Sequence, residues 1–170
     1  MNERLLIAVL GNRNSGKSET WKTLFNDPNI RTTQKSERDL KLQTGAFTKV
    51  FLINGSSQER EKKVEDIIQV GYDPNIVLCS IQYKKSAIDT LKFFANKDYF
   101  IYLHWLNPGY NDSYEYDEYL GLIQEVMKMN SMIGKRDGKC SANIRVKEIK
   151  DYIYDWSNRY GLIKSYNPVK

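Results

Sequence analysis

An unbroken apolar run, Leu5-Leu6-Ile7-Ala8-Val9-Leu10, ends directly in Gly11-Asn12-Arg13-Asn14-Ser15-Gly16-Lys17-Ser18. Residues 19–25 then place Trp21, Leu24 and Phe25 on one helical face. A wholly apolar strand is what a parallel sheet covered on both faces requires. The strand, the glycine-bounded loop and the helix follow one another without a spare residue, so the loop's amides and the start of the helix face one concavity. Partial positive charge at the helix N-terminus favours polyphosphate there. Gly11 and Gly16 let the backbone turn and approach closely. Lys17 reaches phosphate oxygens, and the Ser18 hydroxyl suits Mg²⁺, a cation that prefers oxygen ligands.

The rest of the chain extends this unit into one α/β domain over residues 1–170. At 41% hydrophobic residues the chain is globular. No apolar run approaches the roughly 20 residues that span a bilayer, so no membrane partner is expected. Residues 1–4 lead straight into the first strand and lack a signal peptide's cleavage site. The two cysteines are far apart, and Cys79 lies in an apolar run, which suits a buried thiol. The single histidine, His104, leaves no Cys/His metal cluster to assemble. A cytoplasmic protein fits these features. Net charge is +5, and basic residues thicken at Lys135, Arg136, Lys139, Arg145, Lys147 and Lys150. Nucleic acid stays open as a partner but is not favoured, since a solvated face is the commoner explanation.

Strand-like runs alternate with helix-like runs, which predicts a mostly parallel central sheet with helices on both faces. Strands are expected at 39–44, 47–53, 76–83 and 99–105, with a last short one at 142–146. Helices are expected at 58–70, 86–95, 116–127 and from 149 onward. Residues 29–38 and the basic segment 134–138 read as loops. Tyr110, Tyr114, Tyr116 and Tyr119 cluster beyond the strand ending at Trp105, the sheet edge where such folds carry ligands. They suit either base stacking or the packing of a long loop.

Gly11–Ser18 spells G-x-x-x-x-G-K-S, and the chain resembles the P-loop NTPases. Their three-layer fold is therefore implied, with Gly11, Asn12, Arg13, Asn14, Ser15, Gly16, Lys17, Ser18 and Glu19 around the phosphates. Within that group it is similar to the translation-factor-related and Ras-like GTPases. Residues 50–60 look like their strand followed by D-x-x-G-Q-E, with Asn54 at the Asp position, Ser57 at the Gly position and Gln58-Glu59-Arg60 matching the continuation. The resemblance implies Mg²⁺ held by Ser18, Thr32 or Thr33 and Asn54, a γ-phosphate contact from Ser57, and Gln58 or its rival Glu59 orienting water beside Lys17. Leu106-Asn107-Pro108-Gly109 stands where the family reads guanine, but only Asn107 aligns. Cys140-Ser141-Ala142-Asn143 resembles the family's S-A-K loop, which places Ser141 and Ala142 at the base. No carboxylate pairs with guanine, so ATP and GTP both remain as ligands.

The resemblance implies a small NTPase or switch in which residues 29–36 and 54–60 order around triphosphate and offer a surface to a protein partner. Two alternatives stand beside it. One is a P-loop kinase of a nucleotide or small metabolite, with Lys135-Arg136-Asp137-Gly138-Lys139 as its basic lid. The other is an assembly module that binds nucleotide without hydrolysing it.

Overall fold

The computed structural model describes residues 3–33, 36–43, 45–56, 62–68 and 71–166. Seven strands form one sheet: β1 (Leu5–Gly11), β2 (Arg38–Gln43), β3 (Ala46–Ile53), β4 (Ile76–Gln82), β5 (Phe100–Leu106), β6 (Ser131–Arg136) and β7 (Lys164–Ser165). The strand order is β2-β3-β4-β1-β5-β6, with β7 paired to β3. The pairs β3·β4, β4·β1, β1·β5 and β5·β6 are parallel, whereas β2 and β7 run antiparallel to β3. The expected α/β architecture with a mostly parallel sheet is therefore present. Every residue of β1 is buried, because the strand is paired on both edges and covered on both faces.

Alternation along β1 separates two cores. Leu5, Ile7 and Val9 face Trp21 and Leu24 of α1 (Lys17–Phe25) and Val146, Ile149, Ile153 and Trp156 of α5 (Ala142–Arg159). Leu6, Ala8 and Leu10 face Val64 of α2 (Val64–Ile67), Ala87, Leu91 and Phe94 of α3 (Ala87–Ala95), and Leu122 and Val126 of α4 (Leu122–Met127). These apolar residues recur every three or four positions on their helices, which is what a single buried face needs. On α1, Glu19 lies in the first turn and Lys22 in the last, each complementing the helix dipole. Trp21 Nε1 donates to Ser80 Oγ at 2.8 Å, so α1 is pinned to β4 by a buried hydrogen bond as well as by packing.

Three expectations are corrected. Residues 142–146 open α5 instead of forming a strand: Ser141 caps the helix by accepting from Asn143 N at 3.3 Å, and Val146, Ile149 and Ile153 continue its apolar face. The stretch read as a basic loop carries β6, an edge strand whose half-buried polar residues hide the alternation until they pair with β5. The helix expected at 116–127 is only α4, because Gly121 starts it in a left-handed conformation (φ 73°). Tyr116 and Leu120 lie in the irregular segment before it. Of the helix expected at 58–70, only α2 falls among the described residues.

β1 leads to α1 on one face, while its neighbours β4 and β5 lead to α3 and α4 on the other. Connections leaving adjacent strands in opposite directions open a crevice at their C-terminal ends. The loop after β1 sits at two such divergences.

Candidate functional site

The loop between β1 and α1 is fixed by close backbone contact. Ser15, its innermost residue, is buried. Tyr110 N donates to Ser15 O at 2.9 Å and Asn111 N to Asn14 O at 3.3 Å, so the segment after β5 clasps the loop from one side. Asn12 Nδ2 donates to Asp112 Oδ1 at 3.2 Å, while Asp112 Oδ2 accepts from Gly109 N at 2.7 Å. A Cβ on Gly109 would lie 2.4 Å from Ser15 Cβ, and one on Gly138 would lie 2.7 Å from Ser15 O. Both positions need glycine for the segments after β5 and β6 to reach the loop.

Gly16 (φ 101°) ends the loop, and α1 begins with no side-chain cap on its first amides. Lys17 is turned onto the loop's own oxygens, donating to Asn12 O at 2.7 Å and Gly11 O at 3.2 Å. From the far side, Arg145 of α5 reaches across the helix pair. Its Nε donates to Thr20 Oγ1 at 2.8 Å and its Nη2 to Gly16 O at 3.0 Å. Thr20 Oγ1 also donates to Gly16 O at 3.0 Å. Arg145 is 3% exposed, and burial lowers its pKa. Among the described residues its hydrogen-bond partners are neutral oxygens.

These elements bound a groove of 710 Å³ lined by Arg13, Asn14, Ser15, Gly16, Lys17, Ser18, Glu19, Lys22, Tyr110, Gly138, Lys139, Cys140, Ser141, Ala142 and Arg145. Five cationic side chains (Arg13, Lys17, Lys22, Lys139, Arg145) face one carboxylate, Glu19. Such a wall concentrates anions. The structure thus brings together the loop residues 13–19 with Ser141 and Ala142, as the sequence suggested. Asn12 lies at the loop's start, tied to Asp112.

The other expected residues are placed elsewhere. Asn107 is buried, its Nδ2 donating to Tyr116 O at 2.7 Å and its Oδ1 accepting from Tyr116 N at 3.0 Å. It fastens the loop after β5 and is not presented to a base. Thr33 Oγ1 accepts from Leu52 N at 3.0 Å and from Arg38 Nε at 3.2 Å. Thr32 Oγ1 donates to Asn54 O at 2.7 Å, and Asn54 Nδ2 donates to Ile30 O at 3.1 Å. These three residues line a separate 520 Å³ pocket that shares no lining residue with the groove. The strand order explains the separation: β4 lies between β3 and β1, so the end of β3 is two strand spacings, about 10 Å, from β1. Ser57, Gln58 and Glu59 lie outside the described residues.

For Mg²⁺, the exposed Ser18 in the first turn of α1 fits as one oxygen ligand. Thr32 and Thr33 are not placed to join it, because they line the separate pocket beside Asn54. Among the described residues no group of three His, Cys, Asp or Glu could hold a metal.

Sequence reasoning missed three of the groove's cations. Lys22 and Arg145 lie on helices where they read as ordinary surface charges. Lys139 was grouped with a basic lid. That segment is not a free lid: Lys135 pairs with Glu115, Arg136 pairs with Glu148, and Gly138 N donates to Pro108 O at 2.7 Å. Gln82 ends β4 directly opposite Gly11 in the parallel register. It falls on the strand face of Ser80, which bonds α1, and no motif marks it.

The tyrosines divide. Tyr116 packs against Tyr83 and Trp105, and Tyr83 Oη accepts from Tyr119 N at 3.1 Å, so these side chains order the long loop. Tyr110 stands 65% exposed at the rim of the groove. Both Cys79 and Cys140 are free thiols, and burial pushes Cys79 up to about 12. No helix among the described residues is long and apolar enough to cross a membrane. No protein-family model, curated protein or solved structure matches the chain.

Proposed function

We propose that this chain is a small P-loop NTPase, distantly GTPase-like, that binds a nucleoside triphosphate with Mg²⁺ between β1 and α1 and hydrolyses it as a switch. The observation that carries this reading is the uncapped start of α1 inside a groove where five cations face one carboxylate. A polyphosphate supplies the charge that this wall lacks, and backbone amides at a helix N-terminus donate to its oxygens.

In this reading Lys17 exchanges Gly11 O and Asn12 O for phosphate oxygens, so its ammonium is held ready beside the site by the loop itself. Bound Mg²⁺ supplies further charge neutralisation on the phosphates, with the Ser18 hydroxyl as one ligand. Arg145 holds Gly16 and Thr20 in place, which fixes the amides before ligand arrives. Most of the rate acceleration comes from positioning and charge.

The test is Mg²⁺-dependent release of inorganic phosphate from ATP and GTP by the purified protein and by Lys17→Ala. The reading expects turnover that Lys17→Ala abolishes. Turnover that persists unchanged in that variant rejects it.

A second reading, a nucleotide-binding assembly module without turnover, draws support from the commitment of Thr32, Thr33 and Asn54 to backbone partners away from the groove. Tight triphosphate binding with no phosphate release selects it.

A further inference from the structure

Residues 107–121 form a long irregular loop after β5, and its side chains fall into two sets. One set holds the loop together. Asn107 binds both backbone groups of Tyr116, and Tyr83 Oη accepts from Tyr119 N at 3.1 Å while donating to Glu118 Oε1 at 2.7 Å. Trp105, Tyr116, Tyr83 and Tyr119 make a chain of ring contacts, with successive centroids 5.7, 5.1 and 5.4 Å apart. The other set faces water: Tyr114 is 79% exposed and Tyr119 72%. A long loop without regular structure in a compact domain is usually functional. Tyrosine is favoured at contact surfaces because it brings a large area at a low entropy cost. Here the backbone that carries both rings is already ordered, which lowers that cost further.

Charge identifies the partner. The loop carries Asp112, Glu115, Asp117 and Glu118 and no lysine, arginine or histidine, in a chain of net charge +5. One of the four is neutralised: Glu115 pairs with Lys135 at 2.6 Å. Asp117 is exposed and has no ion pair among the described residues. Lys84 and Lys85, next to Tyr83 in the sequence, pair with none of the four there. Lys135 shows how this loop holds a cation. Its ammonium pairs with Glu115 and lies over the face of Trp105, 5.9 Å from the ring centroid. Tyr119 stands at the opposite end of the ring chain, directly after Asp117 and Glu118, with no cation over its face among the described residues.

Independently of the triphosphate reading, we infer that Tyr114 and Tyr119, with Asp117 and Glu118, are a docking surface for a lysine- or arginine-rich segment of a protein partner. The rings receive the cations and their methylene stems, and the carboxylates supply the opposite charge. Rings this exposed do not enclose a small cation, whereas a polypeptide lays several cations across an open surface. The surface shares no residue with the lining of the phosphate groove, to which the loop contributes only Tyr110.

Isothermal titration at low salt tests this, using an acetylated and amidated oligoarginine peptide, an oligoglutamate peptide of equal length, and spermine. Oligoarginine is expected to bind the wild-type chain despite the like net charge, and to bind less as salt rises. Asp117→Asn, Tyr114→Ala and Tyr119→Ala should each lower its affinity about threefold, and the double tyrosine variant about tenfold, with recovery in Tyr119→Phe. Asp151→Asn, which removes a carboxylate of α5 paired with Lys147, should leave the affinity unaltered and so controls for net charge alone. Tyr119 packs on Tyr83, so Asp117→Asn and Tyr114→Ala decide the matter if Tyr119→Ala fails to fold. Absence of oligoarginine binding, affinity unchanged in those two variants, or an equal loss in Asp151→Asn overturns the surface. Oligoglutamate binding as tightly as oligoarginine overturns the charge assignment, and spermine binding as tightly overturns the polypeptide as occupant. Tripolyphosphate affinity should be unaltered in every one of these variants, so failure here leaves the phosphate site standing, and failure of the phosphate site leaves this surface standing.

Discussion

The two loops that leave the sheet after β1 and after β3 treat their polar groups in opposite ways. At the end of β3, Asn54 and the two threonines that precede β2 are bound to nearby backbone: Thr33 Oγ1 accepts from Leu52 N, Thr32 Oγ1 donates to Asn54 O, and Asn54 Nδ2 donates to Ile30 O. After β1, backbone carbonyls are consumed by neighbouring segments, while cations gather in a groove with one carboxylate among them. A polar group satisfied inside the protein stabilises the fold and offers little to a ligand. A cluster of one charge sign without its complement does the reverse, costing stability until an anion arrives. The first region is therefore a fastening, and the second is the one proposed above as a receptor for an anion.

The comparison can be broken most decisively at Lys17. Lys17→Ala should weaken tripolyphosphate binding at least a hundredfold, about 3 kcal/mol, with little change in the urea midpoint. Titration calorimetry measures the first and chemical denaturation the second; a variant that binds normally removes the receptor.

A pH titration of stability comes next. His104 on β5 is fully buried with neither ring nitrogen partnered among the described residues, and burial lowers its pKa from 6.5 to about 4, against the opposing pull of Glu148. The unfolded chain takes a proton near pH 6.5 that the folded chain refuses until about 4, so stability is whole above 6.5 and falls as pH drops toward 4. The loss attributable to this group is about 3 kcal/mol. Urea unfolding at a series of pH values should show it, and His104→Leu should flatten that part of the curve. His104 is the only histidine, so an unchanged profile in that variant refutes the assignment.

On the β3 side, Thr33→Val leaves the buried Leu52 N–H without its acceptor, and Asn54→Asp sets a carboxylate against Ile30 O. Each should cost about 2 kcal/mol of stability while leaving tripolyphosphate affinity unaltered. Were Asn54 a metal-directed group, Asn54→Asp would instead raise Mg²⁺-dependent turnover, and that result would merge the two regions into one site.

The smallest effect is expected at Arg145→Lys, which keeps the charge but loses the fork to Thr20 and Gly16. About a tenfold loss of triphosphate affinity should follow. A loss equal to that of Lys17→Ala would mean that Arg145 binds ligand more directly than it positions the loop.

Much of the loop that walls the groove was legible in the sequence, because its signal is local. Eight consecutive residues between an apolar strand and an amphipathic helix specify loop, helix start and lysine together. The sheet's central strands were legible for the same reason, each a continuous apolar run. What escaped depends on pairing across the chain. β6 reads as loop until β5 supplies its partner. Arg145 reads as a surface charge until α5 packs on α1, 125 residues apart in sequence. The family resemblance set Asn54 and the threonines around the metal, but residue spacing cannot reveal that β4 enters the sheet between β3 and β1. Asn107 could be aligned as a base reader because alignment does not see that its amide already holds both backbone groups of Tyr116.

The most direct measurement is the movement of backbone amide resonances on titrating Mg²⁺ and tripolyphosphate into isotopically labelled protein. The account predicts that the largest shifts fall on Gly16, Lys17 and Ser18, with Thr20 and Arg145 following. Shifts confined to Thr32, Thr33 and Asn54, or an unchanged spectrum at millimolar ligand, would contradict it.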